Sequence, residues 1–84
     1  MERIILGVDP GLVTTGYGAI RVSGNRVNIL EAGAIRTHEK EPLEERLRTI
    51  HNAILEIIDE VKPQVVAVED LYSKYKHPRT AILM

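Results

Sequence analysis

The sequence predicts an α/β domain built on a mixed sheet, in which three antiparallel strands are followed by a crossover helix and a fourth, parallel strand. Two uninterrupted apolar runs, residues 4–8 and 65–68, are typical of strands that are covered on both faces. Between them, apolar residues recur at spacings of three and four from Leu43 to Val61, the pattern of an amphipathic helix. A right-handed crossover through this helix would make the two apolar strands parallel.

Length and composition favour a single small domain over residues 1–84. The chain is 44% hydrophobic and 27% charged, as in ordinary globular proteins, and at this length it buries only about 60% of its unfolded surface. It has no cysteine, which removes disulfides and thiolate metal sites and fits a reducing compartment. No run approaches the roughly 18 apolar residues that cross a bilayer, so we expect a cytoplasmic protein without a membrane partner.

Turn signals define the remaining elements. The Asp-Pro-Gly sequence at 9–11 ends the first strand, a second strand runs from Thr14 or Thr15 to Val22, and a turn leads into a third over 27–36. Pro42 suits the first turn of the helix, and the helix ends at Lys62-Pro63 because proline disfavours helix at the preceding residue. On the helix surface, Glu44 and Arg48 are predicted to form a weak i,i+4 pair.

Two acids, Asp9 and Glu69, follow the ends of the first and fourth strands. If these strands are neighbours, they lie about 4.8 Å apart and both acids emerge at one edge of the sheet. Two adjacent carboxylates either raise one pKa, giving an acid–base pair, or share a hard divalent cation. The histidines show no metal-ligand spacing, so oxygen ligation favours Mg²⁺ or Mn²⁺ over zinc. Two such ions about 4 Å apart would support phosphodiester hydrolysis.

Ordinary structural explanations compete with each of these features. Asp-Pro-Gly is a common turn sequence, and Glu69 can be a solvated strand end, so it is their joint placement that favours a site. The basic residues that follow, Lys74, Lys76 and Arg79, can be surface charge, but their position directly after Glu69 favours a functional cluster. Beside Tyr72 and Tyr75 they are also typical of a cluster that meets phosphates and stacks on bases. A net charge of −1 requires any nucleic-acid binding to rest on such local clusters or on bound cations.

The motif Asp9-Pro-Gly-x-x-x-Thr15-Gly16-Tyr17-Gly18, with Ile35-Arg36-Thr37 ending the third strand and Val68-Glu69 ending the fourth, resembles the RuvC family of Holliday junction resolvases. The likeness runs over essentially all 84 residues in order and spacing. It implies an RNase H-like fold and a homodimer that cuts four-way DNA junctions, using Mg²⁺ or Mn²⁺, in homologous recombination and repair. It also suggests a branch-migration motor as a further partner.

The resemblance implies roles for individual residues. Asp9 and Glu69 would be catalytic acids that bind metal, with two ions in the intact enzyme. The candidate DNA contacts are Tyr72, Lys74, Lys76, Arg79, Thr15 and Gly16, of which Tyr72 matches an aromatic position near the junction centre.

The family's catalytic domain continues through further helices, and its remaining acids lie near the C-terminus, beyond Met84. We therefore expect an N-terminal part of a resolvase, truncated before the C-terminal helices. It should be inactive or nearly so, and prone to self-association because one sheet face lacks its covering. One alternative is a fragment of an actin-like or sugar-kinase-type ATPase, although Leu12-Val13 replaces the usual Thr/Ser-rich stretch after the glycine. Another is a DNA-binding module without catalysis.

Overall fold

The structure is a computed structural model that describes residues 2–11 and 13–69. Its elements are, in chain order, β1 (Glu2–Asp9), β2 (Thr14–Ser23), β3 (Arg26–Arg36), α1 (Leu43–Val61) and β4 (Val65–Val68). The four strands form one sheet in the order β3-β2-β1-β4. β1 pairs antiparallel with β2 and β2 with β3, whereas β1 and β4 are parallel. This topology confirms the predicted mixed sheet with its crossover helix.

The parallel pairing of β1 with β4 is fixed at both ends by hydrogen bonds. At the start, the Ile4 N–H donates to Gln64 Oε1 over 2.6 Å, and the Gln64 N–H donates to the Ile4 carbonyl over 2.9 Å. At the end, the Glu69 N–H donates to the Val8 carbonyl over 3.0 Å. Since a one-residue slip would break all three bonds, they set the register that brings the two strand ends together.

Helix α1 is defined at both ends by its backbone. The Pro42 carbonyl accepts hydrogen bonds from the N–H groups of Glu45 and Arg46, over 3.0 and 3.1 Å, which starts the helix as predicted. At the other end, Lys62 takes the left-handed conformation (φ 49°), and its N–H donates to the Ile58 carbonyl over 2.8 Å. A residue in the left-handed conformation commonly ends a helix, although this position is usually taken by glycine.

The predicted ion pair between Glu44 and Arg48 is wrong. Arg48 instead approaches the Glu45 carboxylate, with 3.2 Å between Arg48 Nη1 and Glu45 Oε1. Both acids lie on the helix surface within reach of Arg48, because residues three and four apart are neighbours on a helix. The side chains of the pair are largely exposed, so its contribution to stability is small.

One face of the sheet packs against α1 and forms the core. Its buried residues are Leu6, Val8, Ala19, Ile35 and Ile57, with Ile50, Ala53, Ile54, Ile58 and Val61 packed around them. The predicted apolar face of the helix is thus confirmed from Ile50 onward. Its first two members, Leu43 and Leu47, remain 65% and 56% exposed, because no described part of the chain covers the first turns of the helix.

Tyr17 lies on the same face of the sheet, over Gly33, its partner across β2 and β3. A Cβ built on Gly33 would lie 2.8 Å from Tyr17 Oη, so the ring occupies the space that a side chain would take. Burial raises the pKa of Tyr17 above its usual 10.0, and the charge of Glu31, a hydrogen bond with Glu31 and the charge of Glu60 raise it further.

The opposite face of the sheet carries no helix in the described part of the chain. A bulge in β3, where Ala19 faces Glu31 but Ile20 faces Ile29, leaves Leu30 as an extra residue, so that Ile29 lies on the uncovered face although Glu31 lies on the α1 face. Apart from Arg3, the half of this face far from Asp9 is aliphatic, and its outermost members Val27 and Ile29 are 61% and 75% exposed. No described helix combines the length and apolar character that crossing a bilayer demands.

This uncovered aliphatic half should make the chain associate with itself, because exposed apolar area of this kind is stabilised by burial. We expect size-exclusion chromatography with light scattering to give a mass above the 9.4 kDa of one chain. Ile29→Lys should shift the protein toward the monomer. Asn28→Lys adds the same charge at the exposed neighbouring position and should leave the mass unchanged. A monomeric unmodified chain would contradict the expectation.

The turn after Asp9 depends on a close backbone approach at Gly11. A Cβ on Gly11 would collide with the Thr14 carbonyl oxygen, whereas a Cβ on Gly18 would meet nothing within 4 Å. Gly11→Ala should therefore lower the free energy of unfolding by about 1–3 kcal/mol. Gly18→Ala should leave it unchanged or raise it by up to about 1 kcal/mol. Urea unfolding followed by circular dichroism compares the two, and equal effects would contradict the steric reasoning.

The raised pKa of Tyr17 predicts a loss of stability in alkaline solution. Above pH 10.0 the unfolded chain loses the Tyr17 proton while the folded chain still holds it, so ionisation favours the unfolded state. The free energy of unfolding of the native chain should therefore fall relative to that of Tyr17→Phe as the pH rises from about 9 through the folded pKa. Tyr72 and Tyr75 are present in both proteins and cancel. A constant difference between the two would refute the prediction.

Candidate metal and DNA-binding site

Asp9 and Glu69 lie side by side at one edge of the sheet. Asp9 is the last residue of β1, and Glu69 directly follows β4. Val8 and Val68 are partners in the parallel register, and the hydrogen bond from the Glu69 N–H to the Val8 carbonyl extends this alignment by one residue. The structure thus brings together the two acids that the sequence separates by sixty residues.

Both acids belong to the face of the sheet that α1 does not cover. Gly7 shares this face with Asp9, and Ala67 shares it with Glu69, because alternate residues of a strand point to the same side. Gly7 and Ala67 are partners in the register. Both carboxyl-bearing residues are exposed and line one open concavity of about 690 Å³.

Small residues form the floor of this concavity. Besides the two acids, its lining includes Gly7, Gly16, Gly18, Ala32, Gly33 and Ala67. On the uncovered face, Gly16 is the direct partner of Asp9, and Gly18 is the partner of Gly7. A Cβ on Gly16 would meet only Asp9 Cβ, at 4.0 Å, so the missing side chain leaves open space beside the acid. A large ligand can therefore approach Asp9 along the backbone.

The two carboxylates are a suitable but incomplete ligand set for a hard divalent cation. Mg²⁺ is commonly bound by one or two carboxylates, with waters and substrate phosphate oxygens as its other ligands. Within residues 2–11 and 13–69, no group of three acidic, histidine or cysteine side chains is gathered closely enough to hold a metal. The arrangement therefore fits weak cation binding that a phosphate ligand would complete.

The other predicted contacts are distributed unevenly. Gly16 lies on the floor of the concavity, as described above. Thr15 lies on the face covered by α1, is only 1% exposed, and has a hydroxyl without a hydrogen-bond partner among the described residues. Its side chain is therefore enclosed beneath α1, and the DNA contact of Thr15 stays a prediction. The predicted contacts Tyr72, Lys74, Lys76 and Arg79 lie outside the described residues.

The loop after Asp9 is tied to the start of the helix. The Thr37 N–H donates to the Val13 carbonyl over 2.9 Å, and Arg46 Nε approaches Thr37 Oγ1 at 3.4 Å. These contacts connect the end of β3 and the first turns of α1 to the segment between β1 and β2. Sequence spacing gave no sign of them, since they join three separate elements.

Sequence reasoning assigned no role to Arg36, although the structure places it on the uncovered face of the sheet, which also carries Asp9 and Glu69. Gly16, the partner of Asp9, is in turn the partner of Ala34 in β3, and Arg36 lies two residues further along that strand. The predicted hairpin implies which residues of the second and third strands share a face with Asp9, and following that pairing from Asp9 could have identified Arg36.

Comparison with known proteins identifies relatives over nearly the whole chain. A family model described as crossover junction endodeoxyribonuclease RuvC matches residues 5–84. RuvC of Rhodopirellula baltica is 48% identical over 80 residues, which cover 95% of this chain and 45% of the relative. RuvC of Alkaliphilus oremlandii is 44% identical over 81 residues, or 96% of this chain and 49% of the relative. The chain thus spans about half the length of the curated relatives that it matches.

Solved structures show the same fold. Thermus thermophilus RuvC in complex with a Holliday junction substrate superposes with a TM-score of 0.76 at 30% identity, covering 96% of this chain and 55% of that one. A Ppx/GppA enzyme of Aquifex aeolicus, with a TM-score of 0.64 at 14% identity, covers 99% of this chain and 32% of its own, and shares the fold alone. Because the family model that matches the chain is RuvC, the chain does not belong to the family of the predicted ATPase alternative.

The structural neighbours with the higher identity are RuvC proteins, and the mixed sheet with its crossover helix is RNase H-like. The family match extends from within β1 to the last residue of the chain. The chain therefore belongs to the RuvC family of crossover junction endodeoxyribonucleases.

Proposed function

We propose that this chain supplies Asp9 and Glu69 to the divalent-cation site of an endonuclease that resolves four-way DNA junctions. The observation that carries the proposal is the parallel pairing of β1 and β4, which sets the two acids side by side at an open edge of the sheet. The names of the relatives support the reaction class, and the Thermus thermophilus RuvC solved with a Holliday junction supports the substrate.

Each part of the site has a separate task in this proposal. Asp9 lies between β2 on one side and β4 on the other, so the backbone position from which its carboxylate extends is fixed. Glu69 is placed by the hydrogen bond of its own N–H to Val8. Gly16 leaves room for a sugar–phosphate chain to lie close to Asp9. A divalent cation, when bound there, would supply Lewis-acid chemistry for phosphodiester hydrolysis.

Further details of the function are also proposals. The oxygen-only ligands favour Mg²⁺ or Mn²⁺, and two ions per site in the intact enzyme follow from the family resemblance. A homodimer, a branch-migration motor as partner, and a role in recombination and repair follow from the same resemblance, whereas a cytoplasmic location is expected from the sequence composition. The contacts of Tyr72, Lys74, Lys76 and Arg79 with DNA belong with them.

Removal of either acid should weaken cation binding. We expect Asp9→Asn and Glu69→Gln each to reduce the Mn²⁺ affinity of the 84-residue chain at least about tenfold, because each removes one of the two anionic ligands. Electron paramagnetic resonance of free Mn²⁺ measures the affinity directly. Asp59→Asn removes the same charge from an exposed helix position and serves as the matched control. Equal affinities for all four proteins would refute the cation site.

Cleavage can be tested in a chimera in which this chain replaces the matching half of Rhodopirellula baltica RuvC. The chimera should cut a synthetic four-way junction in Mg²⁺, and Asp9→Asn or Glu69→Gln should lower the rate more than about 100-fold, while junction binding survives. Asp59→Asn should cut normally. The 84-residue chain alone should show almost no nicking, because two acids are fewer than a two-metal site usually employs.

A non-catalytic DNA-binding module is the remaining alternative. It predicts that the chain binds the junction equally well with and without Mn²⁺. It also predicts that the chimera still cuts the junction when either acid is replaced. Normal cleavage by both variants would therefore remove the catalytic assignment and leave only the binding role.

A further inference from the structure

We propose that Arg36 is a phosphate-binding residue of the same site, which holds the DNA strand next to the Asp9–Glu69 pair. The inference rests on the proposed function and deepens it, because it adds a cationic subsite on the described part of the sheet. Arg36 would bind the backbone of the strand and make no contact with the bases, so its effect would not depend on base sequence.

The register of the sheet places Arg36 on the acidic face. Asp9 is opposite Gly16, and Gly16 is opposite Ala34, so these three residues share a face. Arg36 shares it too, because it lies two residues beyond Ala34 in the same strand. The bulge at Leu30 comes before Ala34 in β3, so it does not change the faces of the residues from Ala34 to Arg36.

The spacing suits a neighbouring phosphate on one strand. Arg36 is two strands away from Asp9, or about 10 Å, and two residues further along, or about 7 Å. The long arginine side chain shortens this separation. A DNA strand whose scissile phosphate lies at the two acids would therefore pass Arg36 within a few nucleotides.

Among residues 2–11 and 13–69, only small side chains lie on the surface between the acids and Arg36. Gly16 has no side chain, Ala34 has only a methyl group, and Thr14, opposite Arg36, is exposed. A Cβ on Gly16 would find open space except for Asp9. The sheet thus presents a shallow path from the carboxylates to the guanidinium.

The charges on this face explain why a cation is needed there. The ionisable residues that the register assigns to it in the described part of the chain are Arg3, Asp9, Arg36 and Glu69, and Arg3 lies at the opposite end. Two carboxylates repel a phosphodiester, and a fixed positive charge offsets this repulsion. Arg36 is exposed and makes no ion pair within residues 2–11 and 13–69, so its guanidinium is available for a bidentate contact with a phosphate.

The test is binding of a fluorescein-labelled synthetic four-way junction to the 84-residue chain, measured by anisotropy at several salt concentrations. Arg36→Gln should weaken binding about fivefold at about 0.15 M salt and lower the slope of log K against log salt by about 0.9, the loss of one phosphate contact. Arg36→Lys should keep the slope. The same losses should appear with a junction of different base sequence.

Arg26→Gln is the matched control, since it removes the same charge from the opposite end of the same strand. It should bind as the unmodified chain does, and Arg36→Gln should keep both its Mn²⁺ affinity and its circular dichroism spectrum. Equal binding by the Arg36 and Arg26 variants would overturn this inference alone. Absence of salt-dependent junction binding by the unmodified chain would overturn the proposed function together with it.

Discussion

The parallel pairing of β1 with β4 is the constraint on which the rest of the structure depends. It involves only four residue pairs, from Ile5–Val65 to Val8–Val68, and joins segments sixty residues apart. Closing so long a connection costs entropy, and α1 reduces the flexible part of that connection because its nineteen residues are already ordered as a helix. Gln64 closes the near end through two hydrogen bonds, and the Glu69 N–H closes the far end. Without this short ladder, Asp9 would end an edge strand with no second acid beside it.

The two faces of the sheet are specialised by side-chain size. The face under α1 carries Leu6, Val8 and Ile35, which pack into the core. The other face is aliphatic at the far end and nearly bare near Asp9, where Gly7, Gly16 and Gly18 come together. Glycine in a strand costs roughly 0.5–1 kcal/mol relative to alanine, and a Cβ at Gly18 would meet nothing. This bare surface therefore weakens a small sheet without improving its packing, which is expected where a ligand must approach the backbone.

The elements of the fold could be predicted because the apolar patterns are strong. The runs at 4–8 and 65–68, and the helical periodicity between them, were sufficient to predict the crossover and the meeting of Asp9 with Glu69. The faces of individual residues could not be predicted in the same way. Thr15 and Arg36 both belong to the motif, yet the register buries the first beneath α1 and leaves the second exposed on the face that carries the acids. Local spacing carries no information about which strand lies opposite, and only the pairing decides it.

Cation binding and DNA binding should be coupled on this face of the sheet. The chain has a net charge of −1, so it has no overall attraction for nucleic acid, and the two acids repel phosphate locally. A divalent cation bound by the two acids, as proposed, would cancel that repulsion and offer positions that phosphate oxygens can fill, while Arg36 carries a positive charge with or without metal. Coupling between two binding equilibria is reciprocal. A DNA strand that raises the affinity of the site for the cation must therefore bind more tightly, by the same factor, when the cation is present. In the function proposed above, the acids would make DNA binding dependent on metal, and Arg36 would supply the part of the DNA affinity that does not depend on metal.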